Sequence, residues 1–320
     1  MRWCFNLVAA VVVAWAPPPT PRWRRPRAVA ADPDAALKSG IAGFYDGLSG
    51  LWEQVWGEHL HHGYYEPNAK GLTLEAHKEA QVDMIDRVLE WARVAPPPTC
   101  VLDVGCGIGG ASRHIARRFP TSRVTGITLS PVQAARATTL SEGLACEFRV
   151  QDTLALPEDW SGKHDLVWSL ESGEHVPNKP RFVDNLVRTC APGGTVVLVT
   201  WCHRDLKPGE SNLTPFERLL LAVINSCYWL PKWCSVADYN RLFEDRGMLD
   251  IRRDDWTPNI APFWPAVIKT AANPRNGLKL VRTGLDGVRS ALAMFLMVLG
   301  YKMNLIKFGL ITARKPLLQS

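Results

Sequence analysis

The stretch Val101-Leu102-Asp103-Val104-Gly105-Cys106-Gly107-Ile108-Gly109-Gly110 constrains the fold more than any other part of the chain. Apolar residues lead into an acid, and four glycines then crowd the turn. Ser112 to Arg118 has the character of a helix opening. The order is strand, tight turn, helix N-terminus. The glycines let the backbone turn sharply and lie bare against a ligand. The spacing of Gly105, Gly107 and Gly110 fits the dinucleotide fingerprint. Asp103 changes the balance. A carboxylate would repel a pyrophosphate held on backbone N–H groups, but it would attract a ligand carrying an ammonium group and a sulfonium centre. On the motif alone three readings stay open: a methyl donor of that charge type, a dinucleotide, or a glycine-rich turn with no ligand.

The following segments predict further strands. Arg123 to Leu129 is the second, and no acid stands at its end, which counts against a nicotinamide dinucleotide. Thr128 and Gln133 are then the polar groups able to hold a ribose, and Ser130 can cap the helix that Pro131 begins. Cys146 to Val150 is a short strand ending at Gln151-Asp152. Asp152 either accepts from an adenine amino group or merely starts a turn. His164 to Ser169 is the fourth strand, with Glu171, Glu174 and His175 just past it. Ligands of open α/β sheets bind outside the carboxyl ends of strands, so these groups face the crevice. Phe182 to Cys190 is helical, Pro192-Gly193-Gly194 turns the chain, and Thr195 to Trp201 is a fifth strand. This alternation predicts an α/β fold with a doubly wound, mostly parallel sheet.

On the N-terminal side, Ala35 to Gly63 has a helical, aromatic-rich text. His59-Leu60-His61-His62-Gly63-Tyr64-Tyr65 follows, dense in imidazole and phenol, with no metal-ligand spacing around it. Thr73 to Ala92 is a helix with Val82, Ile85, Val88 and Leu89 on one face, and Pro96 to Pro98 forms a rigid joint. Beyond Trp201 come helices over Pro215–Tyr228 and Asp238–Arg246, and a strand over Leu249–Trp256. A helical region runs from Ala261 to about Met303, and a closing strand spans Ile306–Arg314. The apolar run 291–299 is too short to span a bilayer, which takes roughly 20 residues. Its ordinary place is core, with a lipid-facing helix or a pocket wall as alternatives. The expected division is a leader at 1–31, a helical lid at 32–95, a ligand-binding core at 96–205, and a substrate cap with the final strands at 206–320.

Charge sharpens this. The formal net charge is +6, but residues 1–31 hold five arginines and no acid, so the rest carries 32 basic against 31 acidic side chains. A near-neutral body gives no electrostatic case for nucleic acid. The first residues read as a targeting leader: Arg2, an apolar run from Leu7 to Ala16, three prolines, then an arginine-rich stretch. A signal-like piece joined to a transit-like piece suggests a two-part address, with a single transit peptide as the alternative. The eight cysteines form no C-x-x-C pair, which argues against zinc and a disulfide framework.

Several segments together resemble the γ-tocopherol methyltransferase family of plants and algae. They are Trp52–Pro67 (WEQVWGEHLHHGYYEP), Gly126–Gln133 (GITLSPVQ), Leu166–His175 (LVWSLESGEH), Val199–His203 (VTWCH), Leu230–Ser235 (LPKWCS) and Ala261–Ile268 (APFWPAVI). The resemblance implies a class I S-adenosylmethionine-dependent methyltransferase: a Rossmann-like, seven-stranded sheet with its last strand antiparallel, a helical lid and a helical cap. It implies a plastid enzyme that methylates a chromanol ring carbon, γ- to α-tocopherol and δ- to β-tocopherol. Related groups include indole alkaloid N-methyltransferases and, further off, mycolic acid methyltransferases. By position, Asp103, Gly105 and Gly107, with Gly109 beside them, match the donor motif. Thr128 and Gln133 match a donor-contacting threonine and glutamine, and Glu174-His175 matches a pair near the reacting centre.

A ring carbon ortho to a phenol gains nucleophilicity when the phenol, of pKa about 10, loses its proton. His61, His62, Glu174 and His175 are the available bases, divided between the loop and the strand edge. Asp152 and Glu171 join the expected donor contacts. Tyr64, Tyr65, Trp233 and Trp264 are expected to meet a lipophilic acceptor. Peripheral contact with the plastid membrane fits such an acceptor, and no obligate protein partner is indicated. Two other readings remain: the same fold acting on an amine or another prenyl quinol, and a non-catalytic lipid carrier.

Overall fold

The computed structural model describes residues 34–67, 69, 71–265, 268 and 285–317. The expected leader, and the middle of the helical region expected over 261–303, lie outside these residues. Two helices come first, α1 (Ala35–Trp56) and α2 (Leu74–Trp91). The alternating part follows as β1 (Cys100–Val104), α3 (Gly110–Arg118), β2 (Arg123–Thr128), α4 (Pro131–Leu140), β3 (Cys146–Val150), β4 (His164–Leu170), α5 (Lys179–Thr189) and β5 (Cys190–His203). Then come α6 (Pro215–Tyr228), α7 (Val236–Glu244), β6 (Leu249–Asp255), a single helical turn at Thr257–Ile260, α8 (Leu285–Lys302) and β7 (Ile306–Arg314).

The seven strands form one sheet in the order β3-β2-β1-β4-β5-β7-β6. The first five pair in parallel, and β7 runs antiparallel between β5 and β6. This is the class I methyltransferase fold. Strand alternation divides the core into two layers. Val101 and Trp168 face Met84, Ile85, Val88 and Leu89 of α2 and Ile115 of α3. Leu102 and Val104 face Phe182, Val183 and Leu186 of α5 and Phe243 of α7. The apolar stripe of α2 holds that helix on the sheet, since each buried aliphatic side chain contributes about 1.5–3 kcal/mol of transfer free energy. Val82, expected on that stripe, is only half-buried.

Local chemistry sets the boundaries near the ligand side. Thr73 caps α2 by accepting from the Ala76 N–H, and Ser130 caps α4 by accepting from the Gln133 N–H, with Pro131 at the first helical position. The turn expected at Pro192-Gly193-Gly194 is instead a bulge inside a longer strand. Cys190 pairs with His164 and Thr195 with Leu166, so Ala191–Gly194 loops out between them. Gly193, at φ +76°, makes that detour, and its N–H donates to the Lys315 carbonyl at 2.9 Å.

A third cluster caps the β5–β7 end of the sheet. Trp56, Leu220 and Ile224 of α6, and Ala293 and Met297 of α8, pack there. The run 291–299 is therefore core on its inner side, while Phe295 remains 61% exposed. Among the described residues no cysteine forms a disulfide, and no helix is long and apolar enough to cross a membrane.

Candidate functional site

A cleft, about 1120 Å³ counting the open solvent at its mouth, opens where β1, β2 and β4 end, lined by Asp103, Gly105, Gly107, Gly110, Thr128, Gln133, Asp152, Glu171 and His175. Lys38, His59 and His61 close it from the N-terminal side. The turn has no room for side chains. Gly105 sits at φ +84°, where a Cβ would lie 2.1 Å from that of Ser172. A Cβ on Gly110 would stand 2.4 Å from the Glu58 carbonyl oxygen. The loop before α2 thus lies directly on the start of α3.

Asp103 is 2% exposed and accepts from the Ser112 hydroxyl at 2.5 Å. Burial pushes its carboxyl up to about 7, against the pull of the Ser112 hydrogen bonds. A buried carboxylate that faces a cleft and has no ion-pair partner among the described residues suits a cationic ligand. Thr128 donates to Gln133 Oε1 at 2.8 Å, and Gln133 Nε2 donates to Ser49 of α1 at 3.0 Å. Asp152 accepts from the Leu154 N–H and pairs with Lys38 Nζ at 2.7 Å. Ser130 bonds Asp46, and Arg136 bonds Glu53. Helix α1 is therefore clamped across the donor side of the cleft. Sequence reasoning missed Lys38, Asp46 and Ser49. No motif marks them, because their role rests on partners far along the chain.

The histidine loop is fixed at several points. Buried Arg113 donates to the Ile108 carbonyl at 2.6 Å and to Glu58 at 2.8 Å. Gln81 Nε2 donates to the carbonyls of His59 and His61 at 2.9 and 2.8 Å. His61 Nδ1 lies 2.9 Å from the His62 carbonyl, and burial holds its imidazole below the usual range. Burial takes His59 down to about 2. His62 turns the other way, onto Glu171. Its backbone N–H donates to Oε1 at 2.7 Å, and its Nδ1 lies 2.6 Å from Oε2. Glu171, expected to touch the donor, lines the cleft, and each of its oxygens also meets His62.

The strand-edge residues are arranged differently from expectation. Glu174 is 2% exposed, accepts from Thr200 at 2.7 Å, and does not line this cleft. Burial and the nearby Glu171 charge raise it to about 7. His175 does line the cleft, and burial lowers it to about 3. Lys179 ties this turn down, donating to the Gly173 and Glu174 carbonyls at 2.7 and 3.1 Å. Tyr64 and Tyr65 lie away from the cleft. Tyr64 sits edge-on to Trp256 with Arg87 over its ring, and the Tyr65 hydroxyl is 2.7 Å from His77 Nδ1. Both tyrosines follow the loop toward β6 instead of the crevice. Trp264 sits tilted beside His62, with centroids 5.3 Å apart, whereas Trp233 packs one ring further back, against Trp201.

The sheet order and the glycine-turn cleft with its buried acid define a class I S-adenosylmethionine-dependent methyltransferase. A family model described as a methyltransferase domain matches residues 76–251. The chain is 49% identical over 300 residues to the chloroplastic tocopherol O-methyltransferase of Arabidopsis thaliana, covering 91% of this chain and 86% of that one. It is 34% identical over 292 residues to norajmaline N-methyltransferase of Rauvolfia serpentina, covering 88% and 99%. Geranyl diphosphate C-methyltransferase from Streptomyces coelicolor, solved with S-adenosyl-L-homocysteine, matches with a TM-score of 0.70. That match covers 90% of this chain and 100% of the other at 20% identity, and it speaks for the fold. The chain belongs to the tocopherol methyltransferase family.

Proposed function

We propose that this enzyme methylates a ring carbon of a tocopherol chromanol, γ- to α- and δ- to β-tocopherol, inside the plastid. The observation that carries the reading is the 49% identity to the Arabidopsis thaliana tocopherol enzyme, which extends over 91% of the chain and so includes the cap. S-adenosylmethionine supplies the methyl group on a cationic sulfur. In this reading Asp103 takes the cationic amino-acid end, Gly105 and Gly107 leave the backbone bare beside it while Gly109, also expected there, packs on Phe148 and Ala137 instead, Thr128 and Gln133 hold the ribose, and Asp152 serves the adenine. Residues 32–95 act as a lid and 206–320 supply the cap around the acceptor. Excluding water and aligning the ring carbon are the work of these two parts.

The relative's name puts the methyl on oxygen, whereas this reading puts it on carbon. Turnover of labelled donor with γ- and δ-tocopherol decides between them: the expected product keeps a free phenol, and an aryl methyl ether would overturn the carbon assignment. Amines belong in the same panel, because the 34% identity to norajmaline N-methyltransferase favours an amine as the second acceptor class. The chloroplastic name of the relatives supports plastid residence, with a cleaved leader at 1–31 and a two-part address as the finer proposal. Peripheral contact with the plastid membrane follows from an acceptor that partitions into lipid.

A further inference from the structure

His62 is buried, and the donor cleft does not explain why. A carboxylate only accepts, so in the neutral imidazole the bond to Glu171 places the hydrogen on Nδ1 and a lone pair on Nε2. Among the described residues that Nε2 is buried and has no hydrogen-bond partner. Aromatic rings surround it: Phe263, Trp264, Trp201 and Phe308 at centroid distances of 4.3, 5.3, 5.6 and 5.7 Å. The indole N–H groups of Trp201, Trp264 and, one ring further back, Trp233 are likewise buried without a partner among the described residues. Native proteins seldom leave buried polar atoms unsatisfied. One acceptor and three donors inside an apolar wall complement a flat aromatic ligand that carries a hydroxyl and a second oxygen. Glu171 is also held in an uncommon backbone state, at φ +52°, with its N–H donating to the Val199 carbonyl at 2.7 Å. Such positions concentrate where function needs a side chain aimed against local preference. Glu171 lines the donor cleft as well, so the pair stands in the wall between cleft and aromatic cage.

Resting on the phenolic acceptor proposed above, we infer that His62 Nε2 is the base that takes the acceptor's hydroxyl proton, with Glu171 as its positioning residue. The acceptor slides between the imidazole and the rings that now cover it. The proton passes from the phenol oxygen to Nε2 as the ring carbon bonds to the methyl and the sulfur–methyl bond breaks. The imidazolium so formed has the Glu171 carboxylate against it. His62 then returns the proton to the oxygen as the ring hydrogen leaves to solvent and aromaticity is restored. One phenol and one sulfonium methyl are consumed, and one ring-methylated phenol, one thioether and one proton are released. The other ionisable groups acting on this pair are His61, Glu174 and Tyr301. The strand-edge His175 has a poorer claim, because burial and the nearby Lys179 charge lower it to about 3.

The test compares wild type, Glu171→Gln and His62→Gln with γ-tocopherol across pH. An amide at 171 donates to Nδ1 and moves the imidazole hydrogen to Nε2, so Glu171→Gln disables the base while keeping the shape. Both variants are expected to lose about 10²–10⁴-fold in kcat. Part of the rate returns as pH climbs toward the phenol pKa of about 10, or with a fluorinated chromanol of lower pKa. Imidazole nitrogen NMR reads the tautomer directly, a lone pair on Nε2 in wild type and a hydrogen there in Glu171→Gln. Thermal unfolding reports whether His62→Gln folds, and the near-isosteric Glu171→Gln stands if it does not. An active wild type whose variants keep kcat within about threefold and an unchanged pH profile overturns the dyad alone. A wild type inactive on every chromanol overturns both the dyad and the acceptor reading.

Discussion

Asp103 carries the sharpest consequence for single-residue chemistry. Its carboxyl rises from 3.8 to about 7 on folding because it is buried. A raised folded pKa means that the neutral form stabilises the empty enzyme below about pH 4, and that this stabilisation is lost as pH rises through about 7. The donor reverses the preference, since its cation needs the ionised form. Its amino group, of pKa about 7.7–8.0, stays charged throughout the lower window. Donor affinity measured by calorimetry should therefore climb about tenfold per pH unit from pH 5 toward 7 and then level off. Asp103→Asn should bind weakly and show no such climb. A flat wild-type profile would remove Asp103 from the donor site.

The contact between the histidine loop and the start of α3 shows how one element depends on another. Gly110→Ala would place a methyl group 2.4 Å from the Glu58 carbonyl oxygen, and backbone cannot swing aside as a side chain can. The loop must lift, at a cost of about 1–3 kcal/mol by thermal or urea unfolding. Turnover should fall further than stability, because the same loop carries His62. Equal stability with equal rate would show that the contact is slack. Elements with local causes were legible in the sequence: the glycine turn after β1, the Ser130 cap with Pro131, and β4 with polar groups at its end. What escaped depends on tertiary pairing. Nothing near Glu171 in sequence announces His62, which is 109 positions away. Nothing near Pro192 shows that the strand resumes across a bulge, because its partner Lys315 arrives at the far end of the chain. Tyr64 and Tyr65 look alike and adjacent, yet successive residues of an extended segment point to opposite sides. One meets Trp256 and the other His77.

At the scale of the molecule, the basic excess sits in residues 1–31, and the remaining 32 basic and 31 acidic side chains nearly cancel. Protein recovered from its host is expected to come from plastids, in part with their membranes, and to begin near Ala31. Terminal sequencing that finds Met1 intact, or a fusion that stays cytosolic, would overturn the address. The position of β7 bears on the same journey. It lies between β5 and β6, in register with β5 from Thr195–Arg314 to His203–Ile306. Until Ile306–Arg314 arrives, β5 is a bare edge and β6 has nothing to pair with. A polypeptide threading through an import pore with its N-terminus leading therefore cannot close its sheet halfway. Translocation can proceed on an extended chain, and the architecture locks only after almost all of it has emerged on the far side.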